Sequence, residues 1–159
     1  MNIFIPIKHN SQRVPSKNFR LFRGKSLWRH TVDKVSTKYK VHIDTDSEEI
    51  ITECKGLDNV IAYKRDHNLL GDHVSVVSLI QNFKNRYQIT GDICQIHVTS
   101  PFLKIDHLQT AQKKLQEGYD SVFGVDILQQ RLWRQESYGY CPINHNPMKL
   151  EQTQDLPKY

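Results

Sequence analysis

A chain of 159 residues that is 38% hydrophobic and 25% charged can bury one real core and is too apolar to stay disordered. It holds no run of eighteen apolar residues and no charged-then-apolar leader, so neither a membrane span nor a secretory signal is expected, and the protein is read as cytoplasmic. The net charge of +5 is uneven, +9 over residues 1–40 and −4 over the other 119, which suggests an anion-binding end or else a nucleic-acid face.

The first predicted element is a strand, Ile3-Phe4-Ile5-Pro6-Ile7, and a polar loop begins at its end. That loop carries Lys8, Arg13 and Lys17, with Asn10, Ser11, Gln12 and Asn18 supplying small hydrogen-bonding groups between them. In parallel α/β sheets, ligands bind beyond the carboxyl ends of the strands. Three cations there suit a polyanion, and a nucleoside triphosphate is the economical choice. A solvated basic loop is the plain alternative. Ser26 then predicts a helix N-terminus, and Trp28, Val32 and Val35 fall at i, i+4 and i+7 as its buried stripe.

A short strand over residues 40–46 is followed by Ser47, a predicted N-cap, with Glu48 and Glu49 in the first helical turn. Strand alternation puts His42, Asp44 and Asp46 on one side, which invites a metal reading; an end-of-strand Asp that caps a helix is the commoner pattern. Residues 59–63 predict a third strand, leading through Arg65 and Gly71-Asp72 to a helix with Val76, Ile80, Phe83 and Tyr87 on its core face. Residues 92–98 predict a fourth strand, followed by Thr99-Ser100-Pro101. Asp106 and Gln109 form a capping-box pattern for the next helix, whose buried stripe is Leu108, Ala111 and Leu115. Residues 119–125 read as another strand and residues 130–134 as an added β-segment. The three cysteines, Cys54, Cys94 and Cys141, are widely spaced and read as reduced thiols.

Several of these stretches resemble the CMP-sugar synthetases, cytidylyltransferases that activate sialic acids and related nonulosonic acids. Their opening pattern, roughly Ile-Pro-Ala-Arg-x-Gly-Ser-Lys-Arg-x-Pro-x-Lys-Asn, is kept at Ile5, Pro6, Ser11, Arg13, Pro15, Lys17 and Asn18. Lys8, Asn10 and Gln12 depart from it. Residues 45–50, Thr-Asp-Ser-Glu-Glu-Ile, match the family's second signature, with Asp44 in place of its Ser. Arg65 and Gly71-Asp72 stand at the base-recognition segment. Thr99, Ser100 and Pro101 match a Gln-Pro-Thr-Ser-Pro segment whose Gln position is His97, and residues 142–147 and 154–157 match later segments. Where the family has an Arg for the sugar carboxylate, before Gln154-Asp155-Leu156-Pro157, this chain has Gln152 and Thr153.

The resemblance implies an α/β fold: a three-layer α/β/α, Rossmann-like nucleotide-diphospho-sugar transferase (GT-A-like) architecture with a mostly parallel sheet. One cytidylyltransferase-like domain is expected over residues 1–159. It implies transfer of CMP from CTP to a sialic-acid-like 2-keto sugar acid, with release of pyrophosphate. In that reading Lys8, Arg13 and Lys17 hold the triphosphate. Ser11 and Asn18 fix phosphate or ribose, Arg65, Gly71 and Asp72 frame cytosine, and His97, Thr99 and Arg131 meet the sugar. The family enzymes run on into a dimerisation segment and an Asp-x-Asp pair that holds Mg²⁺. The sequence stops at Lys158-Tyr159, so a C-terminally truncated form is expected, with Mg²⁺ and the homodimer implied only by the longer relatives. No Gly-x-x-x-x-Gly-Lys-Ser/Thr is present, which argues against an ordinary P-loop enzyme. Two alternatives stay open: a non-catalytic nucleotide-binding remnant, and a basic nucleic-acid-binding module. The second is disfavoured because aromatic residues are not interleaved with the cations of the first loop.

Overall fold

In the computed structural model, which describes residues 1–11, 14–71 and 73–159, strand β1 (Asn2–Ile7) is the central element. Its Ile3, Ile5 and Ile7 face one side and Phe4 the other, and all four are fully buried. A strand apolar on both faces needs cover on both, which is the condition of a parallel sheet inside an α/β protein. A short antiparallel ribbon follows, β2 (Leu21–Phe22) and β3 (Lys25–Ser26), turning at Arg23-Gly24, both at positive φ. Helix α1 (Leu27–Ser36) buries Trp28, Val32 and Val35 as their spacing predicts.

Strand β4 (Val41–Thr45), buried throughout, leads to α2 (Glu48–Cys54). Ser47 caps that helix, its Oγ accepting from Ile50 N at 3.4 Å. Strand β5 (Val60–Lys64), helix α3 (Val76–Tyr87), strand β6 (Ile93–Gln95) and helix α4 (Ile105–Gln116) complete the alternation. The four strands β1, β4, β5 and β6 lie parallel in the order β5-β4-β1-β6. Ile3, Ile5 and Ile7 pack with residues of α1, α2 and α4, whereas Phe4 packs with Leu79 and Phe83 of α3. The sheet is therefore the middle of three layers, as expected. On α3 the deepest residues are Leu79 and Phe83, with Val76, Ile80 and Tyr87 only half-buried around them.

Ser75 caps α3, its Oγ accepting from Ser78 N at 3.0 Å. Replacing Ser75 with Ala should lower the unfolding free energy by about 1 kcal/mol, readable as a shift in urea midpoint at constant m-value.

The remaining residues, 119–159, form a second compact unit separate from Met1–Gly118. The strand predicted over residues 119–125 is not formed, and these residues are exposed. β-propensity alone does not make a segment a strand, which also takes a neighbouring strand to complete a ladder. The predicted β-segment at residues 130–134 is shifted instead into a hairpin, β7 (Trp133–Glu136) and β8 (Gly139–Pro142). Buried Asn144 organises its base, accepting from Leu132 N at 2.9 Å and donating to Gln130 O at 2.7 Å. The predicted Asp106 cap also shifts. Helix α4 starts at Ile105 with Lys104 in the N-cap position, and Asp106 lies in the first turn, where its charge suits the helix dipole.

Candidate active site

The strand order reverses between β1 and β6, because β4 and β5 extend the sheet one way and the α3 crossover carries the chain back to the other edge. Such a switch point opens a crevice at the carboxyl ends of the strands. The loops after β1 and after β6 therefore flank one crevice. They are the two segments from which Lys8 and His97 come.

Lys8 leaves the end of β1 half-buried, and its Nζ donates to Gly71 O at 3.1 Å. Its own carbonyl accepts from Asn18 Nδ2 at 2.8 Å, and Asn18 is only 7% exposed. Lys8, Asn18 and Gly71, drawn from three separate sequence positions, are thus brought together. Ser11 and Lys17 are half-buried on the same segment, and Lys17 opens a single 3₁₀ turn, Lys17–Phe19. Arg13 and Asp72 lie outside the described residues. Arg20, counted in the sequence only as one more cation, braces this segment by donating from Nε to Pro15 O at 3.2 Å.

Arg65 lies just past β5, and its side chain is 1% exposed. Its Nε donates to Asp44 Oδ2 at 2.7 Å, one Nη donates to Asp44 O at 2.9 Å, and its backbone N–H meets Thr45 O at 2.8 Å. Burial pushes the Asp44 carboxyl above the usual carboxylate range, and the Arg65 guanidinium pulls it part of the way back. The guanidinium is thereby turned onto β4, and the Asp66–Gly71 stretch starts from a rigid point.

His97 and Thr99 are exposed in the turns after β6. Helix α1 braces these turns, with Thr31 Oγ1 donating to Val98 O at 3.4 Å and Lys34 Nζ donating to Pro101 O and, at 3.1 Å, to Leu103 O. Arg131 belongs to the second unit, where its guanidinium donates to the Glu151 carbonyl.

His42 and Asp44 lie on β4 and Asp46 just past its end, and each is engaged by a different partner. His42 Nδ1 meets Tyr63 OH at 3.0 Å and Nε2 meets Asn2 Oδ1 at 3.2 Å, Asp44 serves Arg65, and Asp46 Oδ1 accepts from His9 N at 2.6 Å. Among the described residues no group of three His, Cys, Asp or Glu is placed to hold a metal ion. Nor is any helix there long and apolar enough to cross a membrane. Sequence reasoning gave no role to His9 or Lys34, and it read Ser47 only as a helix cap and Asp46 only as a strand-end acid; the contacts of Asp46 and Ser47 with His9 come from the fold.

Comparison with known proteins identifies the family and the fold. A cytidylyltransferase family model matches residues 3–149. The N-acylneuraminate cytidylyltransferase A of Danio rerio is 30% identical over 98% of this chain, which covers 38% of that protein. The pseudaminic acid cytidylyltransferase of Campylobacter jejuni is 30% identical over 69% of this chain and 50% of its own length. The chain thus spans half or less of these relatives. Among solved structures, a CMP:2-keto-3-deoxy-manno-octonic acid synthetase complexed with CTP superposes with a TM-score of 0.58 at 18% identity, over 74% of this chain and 47% of that one. At that identity it establishes the fold. With the family model spanning nearly all of the sequence, this chain belongs to the cytidylyltransferase family.

Proposed function

We propose that this chain carries the nucleotide-binding part of an enzyme that transfers CMP from CTP to a nonulosonic-type 2-keto sugar acid and releases pyrophosphate. The observation that supports it most is the junction of Lys8, Asn18 and Gly71 beside the switch-point crevice, in a member of the cytidylyltransferase family. In this reading the anomeric hydroxyl oxygen of the sugar acid bonds the α-phosphorus and gives up its proton to water, while the bond to the pyrophosphate oxygen breaks and pyrophosphate leaves. Nucleotidyl transfer asks the protein for positioning and charge neutralisation rather than a covalent intermediate. Lys8, Arg13 and Lys17 supply the charge, and Ser11 and Asn18 order the segment that carries them. Arg65, Gly71 and Asp72 frame the base, Arg65 by anchoring the stretch that begins at Asp66. His97, Thr99 and Arg131 are the sugar-acid residues. The Mg²⁺ that the family implies finds no ligand set among the described residues.

Titration calorimetry tests the reading. CTP should bind in preference to ATP, GTP and UTP, and Arg13→Ala should weaken it by about 2 kcal/mol, the scale of a charge-assisted hydrogen bond. Equal affinity for all four nucleotides, or an unchanged Arg13→Ala variant, would refute it. Steeply salt-dependent binding to oligonucleotides without a CTP preference would favour the nucleic-acid alternative.

A further inference from the structure

We infer that Asp46 is a positioning residue for the phosphate-binding segment, pinning its first turn through the His9 amide and so setting how tightly the segment grips an anion. This rests on the triphosphate reading above. Asp46 sits at the end of β4, and its Oδ1 accepts from His9 N at 2.6 Å, a short charge-assisted contact. The His9 ring is held too, with Nδ1 3.3 Å from Ser47 Oγ and the ring centroid 5.0 Å from that of Phe19.

The anchor is itself rigid. Thr45 is fully buried, its Oγ1 accepts from Ser47 N at 3.1 Å, and Ser47 caps α2. Asp46 therefore lends the order of a buried strand and a helix terminus to a polar segment with little apolar burial of its own. The far end is closed separately by Asn18 on Lys8 O. A segment tied at both ends surrenders less conformational freedom when an anion arrives, and that saving appears as affinity. The carboxylate also has an opposing effect, because its charge repels phosphate. Its oxygen is engaged by an N–H, and the ordering term dominates in this assignment. The neutral isostere separates the two effects.

The test uses the full chain in three forms: wild type, Asp46→Ala (or Asp46→Ser should alanine not fold) and Asp46→Asn, whose amide oxygen still accepts from His9 N. Calorimetry with CTP and with inorganic tripolyphosphate should show dissociation constants about tenfold weaker for Asp46→Ala, the loss expected of one charge-assisted bond. Asp46→Asn should bind at least as well as wild type. Without any ligand, the His9 amide should exchange with solvent at least about tenfold faster in Asp46→Ala. Unchanged or tighter binding by Asp46→Ala, or an Asp46→Asn variant as weak as Asp46→Ala, would overturn the inference. So would identical His9 exchange in wild type and Asp46→Ala. If wild type binds neither probe, the triphosphate reading fails, and the exchange comparison alone decides whether Asp46 pins the segment.

Discussion

Arg65→Ala should cost about 3–5 kcal/mol of unfolding free energy, the range found when one partner of a buried ion pair is removed. The remaining Asp44 would be an ionised carboxylate at the end of a fully buried strand, with its guanidinium partner gone. The pair itself is a different matter, because burying both charges carries a desolvation cost that offsets much of their attraction. A double variant, Arg65→Met with Asp44→Val, should therefore recover most of the loss, and the non-additivity of the cycle measures the coupling. The acid side adds a second signature. Since burial already raises the Asp44 carboxyl, removing Arg65 raises it further, and the Arg65→Ala deficit should shrink as pH falls and Asp44 takes up a proton. Urea unfolding at neutral and acidic pH measures both. A loss below about 1 kcal/mol at neutral pH would place Arg65 among ordinary surface pairs.

Acid should also weaken the fold through His42. The imidazole is 1% exposed, and burial, helped by the nearby Lys40 charge, pushes it down to about 4. Its neutral form is well served, one nitrogen by Tyr63 OH and the other by Asn2 Oδ1, with the ring packed against Phe83 at 4.9 Å. The unfolded chain binds that proton near pH 6.5. Between those two values the unfolded state holds more protons than the folded one, so stability rises with pH. The contribution is complete above about pH 6.5 and is lost as pH falls, by about 3 kcal/mol between pH 7.5 and pH 4. His42→Gln, which cannot titrate, should flatten the pH–stability curve by that amount relative to wild type. Parallel curves for the two proteins would show that His42 does not carry the effect.

Much of the architecture was legible beforehand because it depends on short-range pattern. The unbroken apolar run of β1 announces a strand covered on both sides, and the Trp28, Val32 and Val35 spacing announces a helix face. Ser47 was legible as a cap because capping is a contact three residues long. The failures are equally physical. Residues 119–125 have strand composition, yet a strand needs a neighbour, and composition carries no information about whether one is present. At residues 104–106 the helix begins two residues earlier than the Asp106 pattern suggests, with Lys104 in the N-cap position and Asp106 inside the first turn.

The candidate site divides in the same way. The sequence by itself determined that a cationic, hydrogen-bonding segment follows the first strand, and its motifs identified the cytidylyltransferase family. Only the tertiary structure decided what each charge does. Arg65 meets Asp44 across 21 residues of sequence, Lys34 meets two carbonyls across 67 and 69, and Lys8 meets Gly71 across 63. Charge is a property of one residue, whereas a partner is a property of two places that the chain brings together only when the sheet has formed.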